Sequence, residues 1–147
     1  MNTATLNTLT PVNSVPAPLP TTPLSSALHR ACLAARTAAD NKARDIMVLD
    51  MRDCTPMFDY FVISTGTSRR QIHTVAEETD AALRAEGDHR IGIEGYEASK
   101  WIVQDYGDIV LHVFTPEDRD RYDLEHLWGD APKIEWSKLI LDEAVSA

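Results

Sequence analysis

The residues best suited to chemistry form a glycine turn, Ser64-Thr-Gly-Thr-Ser68, between a predicted strand and a predicted helix. Backbone N–H groups at the start of a helix bind anions, and nucleotidyltransferases use a turn of this kind. Such enzymes also need neighbouring carboxylates to hold Mg²⁺ ions. No carboxylate pair follows the turn, and single ones lie on different segments, at Asp50, Asp59, Asp105 and Asp108. Ser68 is therefore interpreted as a helix cap, and a nucleotide-binding enzyme that uses Ser64 to Ser68 is the alternative function.

The histidines and cysteines form no catalytic or metal-binding pattern. The five histidines show neither His-Glu-x-x-His nor zinc-ligand spacing, and His112 lies in an apolar run that favours a hydrogen-bonded core histidine. The two cysteines, Cys32 and Cys54, lack C-x-x-C spacing, and Cys32 falls on the buried stripe of a predicted helix. We therefore predict no enzyme, no metal and no cofactor. The cysteine content fits a reducing cytoplasm.

Composition and charge indicate one acidic globular domain. The chain has 147 residues, of which 44% are hydrophobic and 25% charged. A net charge of −9 and a pI near 4.9 weigh against nucleic-acid binding, because that affinity comes largely from clustered Lys and Arg. We therefore expect little direct RNA contact. No apolar run approaches the roughly 20 residues that cross a bilayer, so no membrane partner is predicted.

Residue periodicity predicts an α/β fold, with helices packed on a mixed β-sheet of about five strands. One helix begins at Ser25 or Ser26, a second runs from Ser68 to Gly87, and a third runs from the cap Thr115 to about Leu127. Short apolar runs predict strands at residues 46–51 and 60–64. The strand–turn–helix order predicts a crossover to a next parallel strand at residues 89–93.

Residues 101–114 predict a β-hairpin around Gly107, since glycine supplies the positive φ of a tight turn. The second arm, 109–114, is almost wholly apolar and is expected to be buried. The first arm mixes Trp101 and Val103 with polar Gln104 and Asp105. This asymmetry predicts one arm in the core and one arm on the surface.

The chain divides by composition into three segments. Residues 1–23 are rich in Thr, Asn and Pro and carry no charged side chain, which predicts a disordered leader. Residues 24–132 carry the alternating strands and helices of the α/β domain. Residues 133–147 form a C-terminal extension with amphipathic spacing.

Several motifs in this order closely resemble the ribosomal silencing factor family, RsfS or Iojap. The resemblance covers roughly residues 25–132 and rests on Asp59 to Ser68, Glu94-Gly95-Tyr96, Trp101, Asp105 to Asp108, His112 to Phe114 and Tyr122 to Asp130. It implies a homodimer that binds the large ribosomal subunit through its fourteenth protein, uL14. Occupying the subunit interface would block joining of the small subunit and so repress translation. The implied fold is similar to nucleotidyltransferases but lacks their catalytic carboxylates.

The resemblance implies a partner-binding surface on the hairpin, made by Trp101, Val103, Asp105, Tyr106 and Asp108. Aromatic and apolar side chains would supply burial, and carboxylates would attract a basic ribosomal protein. A different interpretation of the same residues is that Trp101 is core and the carboxylates only form the turn. A third possibility is an adaptor whose hairpin edge accepts a partner strand.

Overall fold

Residues 25–139 are described here from a computed structural model of the chain. The predicted leader, 1–23, and residues 140–147 of the predicted extension lie outside this range. The helices are α1 (Ala27–Asp40), α2 (Arg69–Ala85), α3 (Pro116–Tyr122) and α4 (Leu124–Leu127). The strands are β1 (Arg44–Asp50), β2 (Tyr60–Thr65), β3 (Gly92–Glu94), β4 (Trp101–Asp105), β5 (Ile109–Phe114) and β6 (Lys133–Ile134). In this range, none of the helices has the length and apolar character needed to cross a membrane.

The strands form one mixed sheet in the order β3-β4-β5-β2-β1-β6. The central pair, β2 and β5, is parallel, and every other neighbouring pair is antiparallel. The predicted α/β class with a mixed sheet is confirmed, with six strands instead of about five. The additional strand is β6, which pairs with β1 through Lys133 and Ile134 and extends the sheet beyond Pro132.

The strand after α2 differs from the prediction in its bounds and its neighbour. It comprises Gly92–Glu94 and not residues 89–93, and it pairs antiparallel with β4 at the edge of the sheet. It still runs in the same direction as β2, because two antiparallel steps separate it from β5, the parallel partner of β2. The position next to β2 goes to β5, whose run of buried apolar residues suits the centre of the sheet.

Both long helices begin at the predicted serine caps. The Ser26 hydroxyl accepts a hydrogen bond from the His29 amide at 3.1 Å, and the Ser68 hydroxyl accepts one from the Gln71 amide at 3.0 Å. Each cap satisfies a backbone donor that has no partner within its own helix. Cys32 is buried in α1, as its position in the apolar stripe predicts.

The third predicted helix is interrupted before Leu127. It begins as predicted at Thr115, whose hydroxyl accepts from the Asp118 amide, with Pro116 at its first position. It ends at Tyr122, because Asp123 adopts a left-handed conformation with φ of 46°, and α4 follows as a separate turn. The break redirects the chain, and Leu124 becomes buried against the sheet.

The sheet has two faces of different character. On the face that we call the helical face, α1 and α2 cover alternate strand residues, including Val62, Ile102 and Val113. The opposite face carries Phe61, Trp101 and Phe114 among its apolar residues and is only partly covered, by residues 51–59 and the α3–α4 segment. We call it the aromatic face, comprising Phe58, Phe61, Trp101, Val103, His112, Phe114, Tyr122 and Trp128.

Candidate functional site: the aromatic face and its acidic rim

Strand β4 and the turn after it distribute the five predicted partner-binding residues between two environments. Successive side chains of a strand point to opposite faces, and the burial along β4 follows this alternation. Ile102 and Gln104 are fully buried under the helices, whereas Trp101 and Val103 are half-buried on the aromatic face and Asp105 is exposed. Trp101, Val103 and Asp105 therefore share one face of the strand.

The Trp101 indole lies at the centre of a continuous set of aromatic rings. Its ring centroid is 4.9 Å from that of Phe114, with nearly parallel planes, and 4.6 Å from that of Tyr122. Its N–H donates a hydrogen bond to Nδ1 of His112 at 3.0 Å. Packing and a directional hydrogen bond together fix the orientation of the indole, which leaves a half-buried ring at the surface.

His112 lies below Trp101 and is 5% exposed. Burial alone lowers the pKa of His112 to about 3, so the ring is neutral at physiological pH. Because Nδ1 accepts from the indole, the ring proton resides on Nε2, a buried atom without a hydrogen-bond partner within residues 25–139. The Phe61 ring meets the imidazole nearly edge to face at 4.6 Å. The sequence-based interpretation of His112 as a hydrogen-bonded core histidine is confirmed.

The rim of the aromatic face combines exposed apolar side chains with carboxylates. Tyr122 is 46% exposed and lies beside Trp101. Leu127 and Met57, 69% and 77% exposed, belong to the segments whose neighbouring residues Trp128 and Phe58 pack on this face. Glu94 on β3 lies directly opposite Val103 in the sheet, so its carboxylate borders the same strip as Asp105. The site thus offers large apolar groups bordered by negative charge, which is the composition expected of a surface for a basic protein.

Tyr106 belongs to the helical face, which differs from the surface position expected for it. The side chain is 4% exposed, and its hydroxyl donates to Oδ1 of Asp80 on α2 at 2.6 Å. Burial, followed by the hydrogen bond to Asp80, raises the pKa of Tyr106 well above its usual value. The alternation of the strand continues through Tyr106 and turns its ring toward the helices.

Asp108 is engaged by a buried arginine within the same chain. Arg30 of α1 is 1% exposed and donates from Nη1 to Oδ1 of Asp108 at 3.0 Å and also to Asp88. Burial lowers the pKa of Arg30, but hydrogen bonds and charge from Asp108 and Asp88 outweigh it and raise the pKa overall. Arg30 therefore ties α1 to the turn of the hairpin, and Asp108 serves this contact.

The glycine turn considered for phosphate binding is occupied by its own hydrogen bonds. Ser64 is buried, and the Thr65 hydroxyl accepts from Arg119 at 2.8 Å. The Thr67 amide donates to the side chain of Gln71 at 2.7 Å, and Ser68 caps α2. Within residues 25–139, no group of three or more His, Cys, Asp or Glu side chains is arranged to hold a metal ion.

Sequence reasoning did not single out Glu94, Tyr122 and Leu127 as members of this site. One signal was present in the motif Glu94-Gly95-Tyr96. Gly95 has a φ of +80°, and a Cβ there would lie 2.0 Å from the Trp101 carbonyl oxygen. Only glycine allows this close passage of the chain, which places Glu94 beside the Trp101 strand.

Comparisons with known proteins agree with this fold and motif set. A family model described as "Ribosomal silencing factor during starvation" matches residues 25–147. Ribosomal silencing factor RsfS of Halalkalibacterium halodurans is 37% identical over 108 residues, covering 74% of this chain and 92% of that protein. "Mitochondrial assembly of ribosomal large subunit protein 1" of Mus musculus is 38% identical over 89 residues, covering 58% of this chain and 39% of the mouse protein.

The fold itself matches a solved structure. A crystal structure of a protein from Chromobacterium violaceum superposes with a TM-score of 0.69 at 36% identity, covering 71% of this chain and 88% of that one. The family model spans the whole sheet, both long helices and the aromatic face. The chain belongs to the ribosomal silencing factor family, RsfS.

Proposed function

We propose that this protein is a non-enzymatic translational repressor that binds the large ribosomal subunit through uL14 and sterically blocks association with the small subunit. The observation that carries the proposal is the half-buried Trp101 among exposed apolar side chains with Asp105 and Glu94 at the border. Family membership supplies the link to ribosome silencing, and the name of the mouse relative supports the large subunit as the partner.

The proposed contact set is Trp101, Val103 and Asp105 from the expected five, joined by Glu94, Tyr122 and Leu127. A tryptophan with apolar neighbours is the residue type that most often dominates interface energetics when water is excluded from it. The two carboxylates would attract a basic ribosomal protein and increase the association rate. Tyr106 and Asp108 would support this surface from behind, through Asp80 and Arg30.

Steric exclusion requires only a bound, folded body, and this fits a protein without catalytic machinery. The polar groups of the Ser64–Ser68 turn are engaged in capping α2 and in contacts with Arg119 and Gln71. We extend the proposal to a homodimer in the free state and to the cytoplasm as the location, as the family resemblance and the cysteine content indicate.

The test is binding to purified large ribosomal subunits by cosedimentation, with Asp105→Lys as the variant. Reversing this exposed charge replaces attraction with repulsion toward a basic partner, so we expect at least a tenfold loss of affinity, about 1.4 kcal/mol. Glu135→Lys is the matched control, because it makes the same charge change at an exposed site beside β6, the edge of the sheet opposite β3. The control should bind like the parent.

Two results would contradict the proposal. Equal binding of the parent and a folded Asp105→Lys variant would remove the acidic rim from the interface. Metal-dependent binding of a nucleoside triphosphate in calorimetry, abolished by Ser68→Ala, would favour the enzyme. A subunit-joining assay completes the test, since the parent protein should lower the yield of joined ribosomes while Asp105→Lys should not.

A further inference from the structure

The net charge of −9 conceals an uneven distribution of ion-paired and unpaired cations over the molecule. Where β1 ends and β5 begins, arginines are neutralised by carboxylates of this chain. Arg30 pairs with Asp88 and Asp108, and Arg52 pairs with Asp50 at 2.8 Å. Arg84 near the end of α2 likewise pairs with Asp80 at 3.3 Å. Carboxylates of the same chain already neutralise these cations, so they would attract an anionic partner only weakly.

At the opposite end of the sheet, Arg36 pairs with Asp40 at 3.5 Å and Arg119 with Glu125 at 3.0 Å, but a neighbouring group of three cations has no such partner. Lys42, Arg69 and Arg70 are exposed, and none forms an ion pair with another residue in the range 25–139. Lys42 follows α1, and Arg69 and Arg70 open α2. The Gln71 side chain donates to the Asn41 carbonyl at 3.2 Å and holds these two helix ends together.

Arg69 and Arg70 occupy positions at which a positive charge does not stabilise α2. Both lie in the first turn of α2, which contains no acidic residue. The helix dipole places positive partial charge at this end, so a cation there is unfavourable for helix stability. Helix stability therefore gives no reason for Arg69 and Arg70, and an external anion would relieve the repulsion.

The neighbouring side chains indicate the chemistry of that anion. Lys42 and Arg70 line a shallow depression of about 410 Å³, together with Asn41, Thr67, Ser68, Gln71 and Thr74. No carboxylate and no large apolar side chain lines it, in contrast to the aromatic face. Asn41, Thr67, Ser68 and Gln71 are held by hydrogen bonds within the chain, so the cations are the groups left to contact an anion. Lys and Arg are the side chains that most often contact the phosphates of nucleic acids.

We infer that this surface, centred on Lys42, Arg69 and Arg70, binds the phosphate backbone of ribosomal RNA while the aromatic face holds a ribosomal protein. The inference rests on the proposed binding to the large subunit. It concerns a second, sequence-independent contact, because cations without base-reading geometry recognise charge. Sequence reasoning expected little direct RNA contact from the net charge, which cannot show how charge is distributed.

The first experiment measures the salt dependence of binding to purified large subunits for the parent and for Lys42→Ala/Arg70→Ala. Each lost phosphate contact should reduce the magnitude of the slope of log K against log salt concentration by about 0.7 to 0.9. The double variant should therefore reduce it by about 1.5 and weaken binding at least tenfold at about 0.1 M salt. Arg84→Ala, on the same helix but already paired with Asp80, is the control and should leave the slope unchanged.

A second measurement identifies the contacted molecule directly. A photoreactive benzophenone amino acid at Thr74, an exposed position lining the depression, should crosslink to RNA in the bound complex. Both alanine changes are at the surface, and thermal unfolding should show them folded, with Arg70→Ala at least as stable as the parent.

The outcomes separate the two proposals. Failure of the parent to bind large subunits would refute the proposed function itself. Parent binding with an unchanged slope in the double variant, or a crosslink to protein only, would overturn the RNA contact and leave the aromatic face untouched. A change of oligomeric state in the double variant without RNA, seen by analytical ultracentrifugation, would assign the cations to self-association and also overturn the inference.

Discussion

The two faces of the sheet differ in how completely the rest of this chain covers them. On the helical face, side chains of β4 and its turn reach partners on α1 and α2, as the Gln104 Nε2 group does with the Ala76 carbonyl at 3.0 Å, while Gln104 Oε1 has no hydrogen-bond partner within residues 25–139. On the aromatic face, Trp101 and Val103 are left half-buried, and large apolar side chains stand at the rim. The two faces of one strand therefore differ in accessibility. The inward residues are enclosed by the helices, whereas Trp101 and Asp105, which also make local contacts with His112 and the Gly107 amide, keep surface that a partner can cover.

The largest effect should come from Ile102→Ala on the helical face. Ile102 is fully buried between the sheet and α2, so truncation should lower the free energy of unfolding by about 2 to 5 kcal/mol. Urea denaturation measures this loss. The folded fraction should bind the large subunit within about twofold of the parent, because Ile102 does not face the partner. A large loss of affinity in folded protein would break the division between faces.

Trp101→Ala, one residue earlier, should act mainly on binding, whereas Ile102→Ala acts mainly on stability. Removing a central aromatic anchor should weaken binding to the large subunit by about 2 kcal/mol, roughly thirtyfold. Trp101→Phe keeps a ring on Phe114 but loses the donor to His112, so its affinity should lie between the two. Cosedimentation measures both variants. Unchanged affinity of the alanine variant would assign Trp101 to the core alone.

A pH-dependent effect, smaller than these within any one pH unit, is expected from His112. Its pKa of about 3 in the fold lies below the ordinary value near 6.5, so in this interval the unfolded chain binds a proton that the fold excludes. Its contribution to stability is therefore present above about pH 6.5 and is lost as pH falls, by about 1.4 kcal/mol per unit. Urea titrations from pH 7 to 4.5 should show this slope in the parent.

The matched variant for this measurement is His112→Phe, which cannot titrate. Carboxylates that titrate below about pH 5 are shared by both proteins, so the difference between the two curves isolates the histidine. The free energy of unfolding of the parent should fall relative to that of the variant as the pH decreases. Parallel curves would mean that the imidazole is accessible to protons, and the buried position beneath Trp101 would then be wrong.

Much of the fold could be predicted from interactions between residues that are close in the sequence. The serine caps at Ser26 and Ser68 and the hairpin around Gly107 depend on neighbouring residues, and each is found where the sequence predicts it. The neighbour of β3 and the break at Asp123 were not predicted. The first depends on which strand occupies the place beside β2, and the second on a backbone conformation that the helical pattern does not reveal.

The site was predictable in part for the same reason. Alternation along β4 groups Trp101, Val103 and Asp105, and it could also have placed Tyr106 on the other face. Asp108 could not have been assigned from its neighbours, because its partner Arg30 is 78 residues away in the sequence. Net charge likewise does not reveal that Lys42 and Arg70 lie together at the surface, since it sums charges without their positions.

The polar contacts behind β4 have a consequence for the energetics of recognition. The Gln104–Ala76, Tyr106–Asp80 and Asp108–Arg30 contacts anchor the strand and its turn from the rear, at three successive points. A strand held in this way has little conformational entropy left to lose when a partner docks on its front. The free energy released by covering Trp101 is then retained as affinity instead of being consumed in ordering the hairpin.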